Sequence, residues 1–116
     1  MIEQELFAHL EANVSVNGRI YPALMPQDCA MPALVYLVVT ENDEQLLFGD
    51  VSHIRYLVQI DVYAKSYGAG KQLKNEVKNA LYSFKYYPIG LNVSESYEQE
   101  TRLFRQMITM TIQEPK

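Results

Sequence analysis

The chain of 116 residues reads as one α+β domain: a mostly antiparallel sheet with two amphipathic helices packed on one face, in the order α-β-β-β-α-β-β. Three observations lead there. Apolar residues recur at helical spacing over residues 2–13 and again over 70–85. Residues 55–64 alternate between apolar and polar side chains, the mark of a strand with two unlike faces. Two further alternating segments within 91–112 lie so close in sequence that they pair as an antiparallel hairpin. A sheet with one buried face supplies the apolar surface that both helices need.

The elements follow in order. Ile2, Leu6 and Leu10 recur every four residues with Phe7 beside them, and Glu3, Glu5 and Glu11 accompany them, so residues 2–13 predict a short helix. Asn17-Gly18 breaks that pattern. Arg19-Ile20-Tyr21 predicts a very short strand stopped by Pro22. Pro22, Pro26 and Pro32 make residues 22–32 a stiff, extended loop, because proline fixes φ and lacks an amide donor. The loop carries Met25, Cys29 and Met31, which either fold back on the chain's own core or dock on a neighbour. Residues 33–40 are apolar on both faces and predict a strand buried on both sides. Glu41-Asn42-Asp43-Glu44 predicts an acidic turn, opening an excursion over 41–52.

In the strand over 55–64, Tyr56, Val58, Ile60 and Val62 face one way, and Arg55, Leu57, Gln59, Asp61 and Tyr63 the other. Residues 65–70 predict a turn feeding the second helix. Its core face is Leu73, Val77, Ala80, Leu81 and Phe84, with Lys71, Lys74, Lys78 and Lys85 as a stripe along one edge. Pro88 and Gly90 close the segment. Leu91, Val93 and Tyr97 then alternate with polar residues, Gln99-Glu100-Thr101 turns the chain, and residues 102–112 form the last strand, with Phe104, Ile108, Met110 and Ile112 on one face. The last four residues are expected to fray.

Bulk composition excludes several classes of function. Ten Lys plus Arg against fourteen Asp plus Glu give a net charge of −4, which argues against a protein that grips nucleic acid through its phosphates. The single cysteine, Cys29, forms no intrachain disulfide and suits a reducing compartment. The acidic start Met1-Ile2-Glu3-Gln4-Glu5 lacks the basic and apolar regions of a signal peptide, and no apolar run reaches the roughly 20 residues of a membrane helix. Nine of the thirteen aromatics are tyrosines, which suit half-buried sheet faces and interfaces alike.

No catalytic constellation emerges. Gly68-Ala69-Gly70-Lys71 precedes a helix but lacks P-loop spacing, and Gln72 stands where Ser or Thr is needed. His9 and His53 have no second ligand at metal spacing. Asp43, Glu44 and Asp50 do not follow the calcium-loop pattern. The expectation is therefore no enzyme activity, no cofactor and no metal. The lysine stripe has no aromatic interleaving and reads as a solvated face rather than a nucleic-acid site.

One combination points further. Val16-Asn17-Gly18-Arg19-Ile20-Tyr21-Pro22 is followed by Met25-Pro26-Gln27 and then by Pro32-Ala33-Leu34-Val35-Tyr36. The chain closes on a hairpin whose last strand is led by Glu100-Thr101-Arg102-Leu103-Phe104-Arg105. Over about residues 2–113 this resembles the small tail-completion, or tail-terminator, proteins of long-tailed bacteriophages and prophages. Met25, Asp28 and Cys29 depart from the small residues expected around the Pro-Gln turn. The resemblance implies a structural role: a ring, commonly of six copies, that caps the tail tube, halts polymerisation of the major tail tube protein and joins the tail to the head-tail connector protein. DNA would be passing cargo only, no membrane would be involved, and the protein would move from host cytoplasm to virion tail.

On that reading Tyr21, Pro22, Met25, Pro26 and Met31, with Leu46, Leu47 and Phe48 of the excursion, are the candidate subunit-interface residues. Glu41, Asp43, Glu44 and Asp50 are the candidate channel-facing acids, since a channel crossed by DNA should repel phosphate. Two alternatives stand beside it. A small-ligand or regulatory α+β module would need a concave apolar pocket with convergent polar groups. A hydrolase would need Cys29 as nucleophile with a histidine base.

Overall fold

Alternation in one strand organises the whole molecule. The computed structural model describes residues 2–14, 16, 19–26, 30–45 and 51–115, the side chains of residues 44, 45, 51 and 52 excepted. Its elements are α1 (Ile2–Asn13), β1 (Ile20–Pro22), β2 (Ala33–Gln45), β3 (Val51–Ala64), α2 (Tyr67–Tyr82), β4 (Ile89–Glu98) and β5 (Leu103–Pro115), in the order expected. The strands form one sheet, β1-β2-β3-β5-β4. β1 runs parallel to β2, and every other neighbouring pair is antiparallel.

β3 is the central strand. Its Tyr56, Val58, Ile60 and Val62 all point to the helices, together with Leu34 and Tyr36 of β2 and Ile108, Met110 and Ile112 of β5. Ile2, Leu6 and Leu10 of α1 and Leu73, Val77, Ala80 and Leu81 of α2 close the core from the other side, joined by Phe84 just beyond α2. Both helices therefore lie on one face of the sheet. Gln106 of β5 shares that apolar face, buried to 1% exposure, and its Oε1 has no hydrogen-bond partner among the described residues.

The helices are tied to each other by His9. Its Nε2–H donates to the Ala80 carbonyl at 2.6 Å and lies 3.1 Å from Ser83 Oγ, while the ring tilts against Phe84 at 5.1 Å. The same carbonyl, in the last turn of α2, also accepts from the Ser83 amide at 3.2 Å and the Ser83 hydroxyl at 2.9 Å. His9 is a structural link between helices.

Several boundaries differ from the sequence reading, each for a local reason. α2 begins at Tyr67, three residues before the expected start, because Ser66 caps it: its Oγ accepts from the Ala69 amide at 3.2 Å. Gly68 and Gly70 are thus helical. Gly70 is buried against Ala64, and a Cβ there would meet Ala64 Cβ at 3.7 Å. A Cβ at Gly68 would meet nothing within 4 Å. The helix also ends earlier than expected, at Tyr82, so Lys85 lies outside it and pairs with Glu5 of α1 at 3.4 Å. The lysine stripe on α2 is Lys71, Lys74 and Lys78 alone.

Residues 41–44 are not a turn. β2 continues through them to Gln45, paired with β3 residues Val51 to Tyr56. A bulge at Val39 precedes them. A strand whose partner is already in register gains backbone hydrogen bonds whatever its side chains are, and acids are tolerated because they remain exposed. β5 likewise does not fray at residue 113 but runs to Pro115, opposite His53. Burial on both faces of β2 holds for Ala33 to Tyr36 only; Leu37 and Val39 are 42% and 44% exposed. Between β4 and β5 the chain turns through Arg102 at φ 59°, whose amide donates to the Glu98 carbonyl at 2.8 Å.

Two stability changes follow. Gly68→Ala is expected to stabilise the protein by about 0.5 kcal/mol, since the helical backbone and open space both accept a methyl group. Leu10→Ala, at a position with 0% exposure, is expected to cost about 3 kcal/mol. Urea titration checks both: the midpoint rises for the first and falls for the second, with the slope unchanged.

Candidate interaction surfaces

The odd-numbered residues of β3 and β5 point away from the helices. Gln59, Asp61, Tyr63, Leu103 and Arg105 line that face with Val35 and Leu37 of β2. The segment after β1, Ala23 to Met25, folds over it and walls a groove of about 380 Å³. Ala23 makes the turn at φ 63°, a left-handed conformation that costs a non-glycine residue on the order of 1 kcal/mol. Its amide donates to the Tyr36 carbonyl at 2.8 Å, which holds the segment to β2. Arg19 reinforces the entry: its Nε–H donates to the Pro32 carbonyl at 2.8 Å.

An ion pair lies at the centre of the groove. Asp61, 6% exposed, accepts from Arg105 Nη2 at 2.9 Å and from Gln59 Nε2 at 3.2 and 3.3 Å. Arg105 also lies 5.9 Å from the centre of the Tyr63 ring. Burial opposes the guanidinium's charge, but the Asp61 bond and field outweigh it and leave the Arg105 pKa raised. Burial likewise raises the pKa of Tyr63. The Asp61 carboxylate is taken up by Arg105 Nη2 and Gln59, the buried Arg105 Nε has no hydrogen-bond partner among the described residues, and Leu37 and Leu57 remain exposed on the same sheet face. Such a face is suited to packing against a surface.

The candidate interface residues separate in space. Tyr21 is half-buried in β1 opposite Val35, and Pro22 is exposed at the strand's end, opposite Tyr36. β1 thus includes Pro22, where the sequence reading ended the strand before it. An edge strand can hold a proline because one side of its ladder is unpaired. Met25 lines the groove, Pro26 is exposed and Met31 is half-buried. Leu46, Leu47 and Phe48 lie outside the described residues, as do Cys29 and Asp50.

The acids are grouped differently from expectation. The Val39 bulge sets Glu41 opposite Tyr56 and Asp43 opposite Ile54, on the helix side of the sheet. Both are exposed, whereas Glu44 pairs with His53 through the backbone. Tyr56 donates its hydroxyl proton to Glu114 Oε1 at 3.1 Å. Burial first, then Glu114 and the nearby Glu41 and Asp43, push the Tyr56 pKa up to about 12. Asp61, Arg105 and Glu114 were not singled out from sequence. Alternation alone placed Asp61 on a polar face, but its diagonal contact with Arg105 depends on the β3–β5 register. Among the described residues no group of three His, Cys, Asp or Glu side chains could hold a metal ion, and no helix is long and apolar enough to cross a membrane.

Comparison with known proteins gives two positive findings. The family described as tail completion protein gp17 matches residues 4–112. Among solved structures, a chain of the virion of a native gene transfer agent particle superposes with a TM-score of 0.70 at 15% identity, over 96% of this chain and 92% of that one. At that identity the likeness shows a shared fold. No curated protein sequence matches.

Asp61→Ala is expected to cost about 3 kcal/mol, because it strands a partly buried guanidinium. Asp61→Ala combined with Arg105→Met is expected to recover much of that loss, read by urea titration of the single and double variants. Tyr56 predicts an alkaline dependence. An unfolded tyrosine ionises near pH 10, whereas folded Tyr56 keeps its proton to about 12. Its contribution is complete below about pH 10 and is lost as pH rises through the folded value. Tyr56→Phe is expected to flatten the fall in stability between about pH 10 and about pH 12.

Proposed function

The chain belongs to the tail completion protein gp17 family, and from that premise we propose that it caps the tail tube as a ring, ends tube polymerisation and joins the tail to the head-tail connector. A phage tail structural protein is what family membership establishes; the ring, its six copies and its two partners are this reading's own content. The observation that carries it is the extent of the match, residues 4–112, which takes in every strand and helix except the chain's two ends. Its support in the molecule is a sheet whose second face, among the described residues, carries no helix, and on which Leu37 and Leu57 stay exposed beside the Asp61–Arg105 ion pair. A protein partner gains from such a face, since apolar area is removed from water without stranding a charge.

A small ligand in the groove over Asp61 would meet a carboxylate already bonded to Gln59 and Arg105. Catalysis finds no support in that arrangement. The role is therefore proposed as structural, with no enzyme activity.

Polymerising the major tail tube protein with and without this chain tests the proposal. With it, tubes are expected to stop growing, to carry extra density at one end in electron micrographs, and to yield a sixfold ring by native mass measurement. Tubes of unchanged length with bare ends would sink the idea.

A further inference from the structure

The two outer edges of the sheet are open, acidic side chains standing on β2 and lysines on the helix above β4. β1 covers β2 only over Leu34 to Tyr36, so among the described residues the outer edge of residues 37–45 has no strand beside it. At the other end of the sheet, β4 pairs with β5 alone. Open edges are pairing sites for another strand unless they are blocked.

The helix above each edge differs in charge. Beside β2 stand Glu41 and Asp43, with Glu3 of α1 close enough to Tyr36 to add to the upward shift of its pKa that burial begins. α1 lies over this side, its Phe7 ring 6.1 Å from Tyr36, and its charged residues are Glu3, Glu5 and Glu11. Over β4 lies the lysine stripe of α2. Lys71 bonds Glu95 of β4, and Lys74 follows at the next helical position, close enough to lower the Glu95 pKa further. Lys78, one turn on, continues the stripe. At the upper end of β4, Tyr82, Tyr87 and Ile89 are 44%, 63% and 51% exposed, and the two tyrosine rings pack at 5.7 Å. Exposed tyrosines beside unburied lysines have the composition of an interface core with a charged rim.

We propose that the β4 edge of one copy, with Lys74, Lys78 and Tyr87, docks on the β2 edge of a second copy at Glu41 and Asp43, so that the sheets continue edge to edge. The contact is heterologous: each copy offers one edge and accepts the other, which generates a ring when the rotation closes. Because β1 occupies the lower part of the β2 edge, the incoming strand meets residues 37–45, and adjacent sheets are staggered along the strand direction. Closure of a staggered sheet requires strands tilted to the ring axis. The proposal rests on the ring reading above and supplies its contact. It gives Glu41 and Asp43 a protein partner in place of the channel expected from the sequence.

Charge reversal on the full chain tests it. Glu41→Lys with Asp43→Lys, and separately Lys74→Glu with Lys78→Glu, are expected to weaken self-association at least about tenfold, measured by sedimentation at low salt. An equimolar mixture of the two variants is expected to restore assembly, because each then meets an opposite charge at both edges. Tyr87→Ala, at a largely exposed position, is expected to weaken assembly without lowering the melting temperature. In assembled wild type, amide exchange is expected to slow in residues 37–45 and 89–98. Rings that form equally well from both reversed variants would overturn the proposed contact and leave the ring reading standing. Wild-type chains that neither self-associate nor cap tubes would remove both.

Discussion

β3 is the constraint on which the remaining structure depends. It is bonded on both sides, to β2 and to β5, and its even-numbered side chains carry both helices. A one-residue slip against either neighbour would turn Val58, Ile60 and Val62 to the uncovered face and bring Gln59 and Asp61 under the helices. The β2–β3 and β3–β5 registers, and through them the position of every edge and groove, follow from keeping those side chains dry.

That choice sorts the two faces by purpose. The helix face spends its apolar area internally, with His9 of α1 bonded to the Ala80 carbonyl near the end of α2. The other face keeps Leu37 and Leu57 in solvent and holds its charges as a mutual pair, Asp61 with Arg105. Here stability is concentrated on one side of a single sheet, leaving the second face and both edges available.

The sequence was legible where a period ran long enough to be read. Ile2, Leu6 and Leu10 marked α1, and Leu73, Val77, Ala80 and Leu81 marked the buried face of α2. It was less legible where a local signal competed with a distant partner. Two glycines argued for a turn at Gly68 and Gly70, yet the Ser66 cap and the close approach to Ala64 favour helix. Four polar residues argued for a turn at 41–44, yet the β3 backbone waiting opposite them extends β2 instead.

Local sequence patterns pointed to the class of fold, the order of its elements and the helix and β3 parts of the core, because each of those depends on spacing within one element. They also carried the family resemblance, since turns and prolines are read locally. The pairing of Asp61 with Arg105, the face on which Glu41 and Asp43 stand, and the open edges of β2 and β4 all depend on which strands lie side by side and in what register. A bulge of one residue at Val39 is enough to move the acids from one face to the other. No local pattern encodes that shift, because its cause is the partner strand.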